Sequence, residues 1–442
     1  MDLQNKRDKW RNKMKAYRDM TRGELVELKE VLEQQYKEKM ALGLKLDMSR
    51  GKPSVAQLDS IMGMMDLLDS RSDYRTEEGF DSRNYGAMDG IFEAKKLMAE
   101  IMGTTPEHVV VYGNSSLSIM YDSISRCYTH GVMEGDIPWC KLERVKWLCP
   151  VPGYDRHFAI TERFGMEMIL VPMKEDGPDM DLIERLVAED DSIKGIWCVP
   201  KYSNPQGISY SDQTVKRMAA LKPKAKDFRI YWDNAYAVHH LYPDAPVEIL
   251  DILSECEKAG NPDLVYEFAS TSKISFSGAG IAAMAASPAN LKEIRDQLRI
   301  MTIGYDKINQ LRHVRYFKDL KGVQEQMERH AELIRPKFEA VLEILERELG
   351  ELGIGFWKKP FGGYFISFEA MEGCAKAIVK RCKDAGVIMT DAGATYPYGK
   401  DPKDTNIRIA PTFPTLEEIQ KAAELFVLCV KLVSVEKLLE QK

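Results

Sequence analysis

From about residue 90 to about residue 290 the sequence repeats one unit: a short apolar run, a polar turn, then a stretch of helical periodicity. The runs are "HVVVYG", "KWLCPV", "MEMILVPM", "GIWCVP", "RIYWDNAY", "LVYEFAS" and "GIAAMAAS". Strands separated by helices cannot pair as hairpins. The alternation therefore predicts a mostly parallel sheet with helices on its faces, an α/β large domain. After that the pattern changes. Long charged helices lead to "GGYFISFE", "GVIMTDAG" and "NIRIAPTF", and a last helix starts near Thr415, which predicts a smaller α+β domain. Toward the other end, Thr21 to Leu44 reads as a helix. Its "TRGE" is a capping box, and Leu25, Leu28, Val31 and Leu32 form an apolar stripe. This segment is expected to complete the small domain. The expected division is 1–60 for the N-terminal helix and segment, 61–310 for the large domain and 311–442 for the small domain.

A chain of 442 residues is too long for one compact core, which agrees with two lobes. Its net charge of −6 offers no electrostatic footprint for nucleic acid or an anionic membrane. The eight cysteines show no CxxC pair and no regular spacing, so they read as buried or idle thiols of a reducing compartment. "MDLQNKRDKWRNKMKAYRDM" is charged and lacks the apolar core of a secretory signal. No run approaches the length of a membrane span. A cytoplasmic enzyme is the class these observations favour.

In open parallel sheets, ligands sit at the carboxyl ends of the strands, so polar residues just after a strand carry the functional reading. Gly113, Asn114, Ser115 and Ser116 stand between a strand and a helical run. Small residues there let backbone N–H groups face an anion, although an ordinary helix cap has the same look. Asn204-Pro205-Gln206-Gly207 is a turn by composition and, alone, no more than that. Asp233 ends a strand with Tyr236 three residues on, as a functional carboxylate or another cap would. Lys273 follows a strand, among Ser270, Ser272, Ser275 and Ser277 and ahead of Gly278 and Gly280. Burial disfavours the charged form of a lysine, and the neutral amine is the form that attacks carbonyls.

Taken together and in order, Gly-Asn-Ser-Ser, Asn-Pro-Gln-Gly, Asp-x-x-Tyr and Ser-x-x-Lys at successive strand ends resemble the class I aminotransferase family. These are pyridoxal phosphate (PLP) enzymes with the aspartate-aminotransferase fold. The resemblance runs from "LDMSRGKPS" to "NIRIAPTF", and "RGKPS" and "SKISFSGAG" have the style of a divergent bacterial branch of aspartate aminotransferases. It implies a fold-type-I PLP transferase, a homodimer with active sites at the interface, and ping-pong amino transfer, with aspartate and 2-oxoglutarate the first expectation. It also implies residue roles. Lys273 would be the Schiff-base lysine and proton-transfer base, and Asp233 would pair with the pyridine nitrogen. Asn204 and Tyr236 would donate to the phenolate oxygen. Tyr154 would stack on the ring, and His157 would support the aspartate. Asn114, Ser115, Ser116 and Ser270 would hold the phosphate, and Tyr85 would reach the phosphate of the neighbouring subunit. Arg408 would grip the substrate α-carboxylate bidentately, with Gly51 close to the same group. Gly362 and Gly363, in "PFGGYFISF", would be structural.

The family pattern is broken in two places. Relatives carry an arginine eight residues after the lysine, where this chain has Ile281, and the next arginine is Arg295. Ser272, Ser277 or the neighbouring chain is expected to compensate at the phosphate. The arginine that reads a distal carboxylate aligns with Ile303, and Lys307, Arg50 and Lys52 are the replacement candidates. An aminotransferase of other specificity, or a PLP lyase or decarboxylase, would use the same residues. A DNA-binding regulator is not expected, because only about 45 residues precede "LDMSRGKPS", too few for a helix-turn-helix and linker.

Overall fold

The computed structural model describes residues 16–442. The non-secretory reading of the charged first residues therefore falls mostly outside the described residues. Strands are numbered in chain order. A two-residue β1 (Leu46–Asp47) comes first. There follow β2 (Val109–Tyr112), β3 (Lys146–Val151), β4 (Glu167–Lys174), β5 (Gly177–Pro178), β6 (Ile193–Cys198), β7 (Arg229–Asp233), β8 (Val265–Ser270) and β9 (Ala282–Ala286). These eight form one sheet in the order β2-β9-β8-β7-β6-β3-β4-β5. The five strands β8, β7, β6, β3 and β4 run parallel, while β9 is antiparallel to both its neighbours and β5 to β4. All seven expected runs are strands. β5 is too short to leave an apolar run in the sequence.

The side chains of β2, β6, β7 and β9 are buried throughout, as expected where helices cover both faces. The reversed β9 matters for the site. It separates β2 from β8, which point the same way, so the loops leaving these two strands emerge on one edge. There Ala282 N donates to Gly113 O at 2.9 Å, and Ser270 Oγ donates to Asn114 O at 3.2 Å.

A second, antiparallel sheet contains β10 (Gly355–Trp357), β11 (Ile366–Ala370) and, beyond the short β12 (Val387–Ile388), β13 (Asn406–Ile409). β12 pairs in parallel with β1 instead. The Arg22–Ala41 helix starts at a complete capping box, with Glu24 N on Thr21 Oγ1 and Thr21 N on Glu24 Oε2. Its Leu25, Leu28 and Leu32 pack in one core with Phe338 and Leu345 and with Phe426 and Val430 of the Leu416–Gln441 helix. The Leu320–Leu349 helix crosses between cores. Val323 and Met327 lie in the core of the large sheet, Ile334 and Phe338 in the other, and Pro336 sits inside the helix between these last two.

Gly362 and Gly363 mark a second crossing. A Cβ on Gly362 would fall 2.3 Å from the Tyr202 ring and 2.5 Å from His239 O, and Gly363 has φ +78°. The backbone entering β11 thus lies directly on Tyr202, two residues before Asn204. Among the described residues no helix is long and apolar enough to cross a membrane. All eight cysteines are free thiols, and Cys140 alone among them is exposed.

Candidate active site

Lys273 closes a single turn, Thr271–Lys273, directly after β8. Ser270 shapes that turn: its Oγ accepts from Ser272 N at 3.1 Å while donating across to Asn114 O. The lysine Nζ lies 5.0 Å from the centre of the buried Tyr236 ring. Burial pulls the Lys273 ammonium below the usual lysine range, and the Asp233 carboxylate works against that pull.

Asp233 is the last residue of β7 and is 3% exposed. Its Oδ2 meets His157 Nε2 at 2.9 Å, and its Oδ1 is buried with no partner. His157 cannot drift: its ring stacks on Trp197 at 4.4 Å and 10°. Leaving a buried carboxylate oxygen unpaired costs about 1–3 kcal/mol or more. A cationic N–H donor, such as a protonated pyridine nitrogen, matches that oxygen.

The loop after β2 suits a phosphate. Ser115 is the N-cap of the Ser116–His130 helix, yet its side chain makes no capping bond, so its hydroxyl and the first helical N–H groups are free for an anion. Ile281 brings no cation here. Its side chain belongs to the core of the large sheet, and its backbone is tied both ways to Thr271, at 2.8 and 2.9 Å. Ser277 Oγ donates to Ser272 O at 2.8 Å, so it braces the loop. Behind that loop, Asn309 Nδ2 donates to the carbonyls of Ala279 and Gly280, and Arg312 donates to Asn309 Oδ1 at 2.5 Å.

Arg408, on β13, faces these loops from the smaller sheet and is 7% exposed. Its Nη1 donates to Asp155 Oδ1 at 2.8 Å and to Asn204 Oδ1 at 3.1 Å, and its Nη2 to Thr390 Oγ1 at 3.3 Å. The guanidinium lies 4.8 Å over the Phe365 ring. Gly51 passes over the same ring, where a Cβ would come within 2.4 Å of it. With Oδ1 turned to Arg408, the Asn204 amide keeps both hydrogens for another acceptor.

The family profile described as aspartate amino-transferase matches residues 20–442. The chain belongs to the aspartate amino-transferase family. It is 45% identical over 407 residues to an aspartate aminotransferase of Corynebacterium glutamicum, covering 92% of this chain and 94% of that protein. A crystal structure of an aspartate transaminase from the same species superposes with TM-score 0.93 at 43% identity, covering 96% of this chain and 100% of that one. An α-aminoadipate aminotransferase from Thermus thermophilus shares the fold at TM-score 0.71 and 19% identity, over 92% and 96% of the two chains.

Within this aminotransferase, Lys273, Tyr236, Asp233 and His157 form one group, Ser270 and Asn114 tie its strand ends together, and Arg408 with Asn204 forms a second group; Asp233 and Arg408 both act electrostatically on Tyr154 and Tyr236. Tyr154 stands edge-on to His157, ring centres 4.9 Å apart. Tyr85 is 77% exposed, so in a single chain it covers nothing. The distal-carboxylate candidates are scattered. Lys52 Nζ lies 3.8 Å over the Phe413 ring, Lys307 is buried with Nζ 3.4 Å from Tyr305 O, and Arg50 is exposed. Sequence reasoning missed Asp155, Thr390 and Phe365. A signal existed for Asp155, an acid immediately after the aromatic Tyr154 in a strand-end loop.

Proposed function

We propose that this aminotransferase moves an amino group between an amino acid and a 2-oxo acid on bound PLP, with aspartate and 2-oxoglutarate as the pair. The unpartnered, buried Oδ1 of Asp233, beside the desolvated Lys273, carries the reading. When bound, the cofactor supplies a sink for the electrons left at the substrate Cα. Asp233 would keep the ring nitrogen protonated, steadied by His157. Asn204 N–H and the Tyr236 hydroxyl would donate to the ring oxygen, and Tyr154 would cover the ring face. Lys273, favoured in its neutral form by burial, would take the proton from Cα and return it at the cofactor carbon. Asn114, Ser115, Ser116, Ser270 and Ser272 would hold the phosphate together with a helix N-terminus. Arg408 would fix the α-carboxylate, and with it the direction of the Cα–H bond.

Exposed Tyr85, Ile300 and Ile303, at 77, 90 and 64%, support a homodimer in which Tyr85 serves the partner's phosphate. A division into a cofactor-carrying unit and a smaller capping unit, and residence in a reducing cytoplasm, belong to the same proposal.

The test is product analysis. Purified protein given PLP, aspartate and 2-oxoglutarate should form oxaloacetate and glutamate in equal amounts. Lys273→Ala should lower that rate by about 10⁴-fold or more. Release of ammonia or carbon dioxide in place of glutamate, or full activity in Lys273→Ala, would reject the proposal.

A further inference from the structure

One charged contact has no part in the roles above. The Nη1 of Arg408 is held by a carboxylate of the chain itself, Asp155, at 2.8 Å. Asn204 Oδ1 holds the same nitrogen, so both Nη1 hydrogens have acceptors. The partners differ in exposure: the Arg408 side chain is 7% exposed and that of Asp155 is 32%. Asp155 therefore lies on the solvent side of a buried guanidinium.

A guanidinium can offer a carboxylate its Nη1–Nη2 edge or its Nε–Nη2 edge. The Nε of Arg408 is out of contact with solvent and without a partner, so that edge is not the one open to a ligand arriving from solvent. A ligand arriving from solvent meets the Nη1 side, where Asp155 already is. Two carboxylates cannot share one N–H, and at such separations they repel.

We propose that Asp155 is the exchangeable counter-ion of Arg408. It occupies the α-carboxylate subsite until an amino acid or oxo acid displaces it, and so sets the affinity of that subsite. The inference rests on Arg408 being the α-carboxylate arginine. Once displaced, Asp155 has a second partner close by. It is the first residue of the nine-residue Asp155–Arg163 helix, whose free N–H groups and positive end favour an anion. Between turnovers the pair keeps a buried cation from standing uncompensated, which is the costly state.

The test is calorimetric titration of the PLP-saturated protein with succinate, a dicarboxylate with no amino group to transfer. Asp155→Asn should bind succinate about tenfold more tightly, because an amide competes for a guanidinium less strongly than a carboxylate does. Asp155→Ser, with melting temperatures recorded, covers the case in which the amide variant folds poorly, and its affinity should shift the same way. Equal or weaker binding by folded variants would overturn the proposal, since Asp155 would then be holding Arg408 ready for substrate. Arg408→Gln separates the two readings, and should abolish succinate binding in both the native and the Asp155→Asn backgrounds. Binding that survives Arg408→Gln rejects the α-carboxylate assignment itself. Loss in Arg408→Gln with no gain in Asp155→Asn rejects the counter-ion alone.

Discussion

The two charged groups that bracket the site each keep one buried, unpartnered atom, Oδ1 of Asp233 and Nε of Arg408, but differ in how the rest of the group is satisfied. Asp233 has one oxygen on His157 and the other buried and unpaired. Arg408 has a carboxylate, an amide and a hydroxyl around it, all from its own chain. The first arrangement suits a resident group that arrives once and stays. The second suits a visitor that comes and goes, since the cation is never left bare. If the proposed roles hold, one pocket is rigid toward a cofactor and yielding toward a substrate.

The comparison can be broken at either end. Asp233→Asn keeps the shape but removes the charge, and should lower kcat/KM by about 10³-fold, mostly in kcat, as loss of a preorganised electrostatic partner does. Arg408→Lys replaces a planar fork with a point charge and should cost about 10²-fold, mostly in KM. Steady-state kinetics with aspartate checks both. If the arginine change falls on kcat and the aspartate change on KM, the division of labour is wrong.

The smallest effect concerns the layer behind Asp233. Asn234 donates to Glu267 Oε1 at 3.0 Å, Oε2 has no partner, and burial pushes the Glu267 carboxyl from 4.5 up to about 8. The folded state therefore binds this proton more tightly than the unfolded state. The stabilisation is complete below about pH 4.5 and is lost as pH rises through about 8. Glu267→Gln should match the native protein near pH 4.5 and exceed it by about 1–3 kcal/mol at pH 8. Thermal melts across that range would show it, and parallel pH profiles for the two proteins would refute it.

Much of this was legible in the sequence, and the exceptions have physical causes. Seven of the eight strands of the large sheet announce themselves as apolar runs, most of them because burial on both faces demands it. β5 and β10, of two and three residues, have no room for such a signal. Lys273, Asp233, Asn204 and Arg408 were readable as candidates because each follows or lies in a strand within a recognisable local motif. Asp155 was not, because its meaning comes from a partner 253 residues away. Thr390 and Phe365 likewise meet Arg408 only in the folded chain, and neither residue type is unusual in a loop or strand. Ile281 shows the reverse: its departure from the family pattern was visible at once, but its burial in the large core was not.

The helix carrying Pro336 deserves a mechanical reading. It is anchored in the large core by Val323 and Met327 and in the other core by Phe338 and Leu345. Proline lacks the N–H that would tie its turn to Glu332, one turn back, so the helix is one hydrogen bond short just after it has entered the second core at Ile334. Any bending of the Leu320–Leu349 helix would therefore gather around residues 332–336 rather than spread along its length.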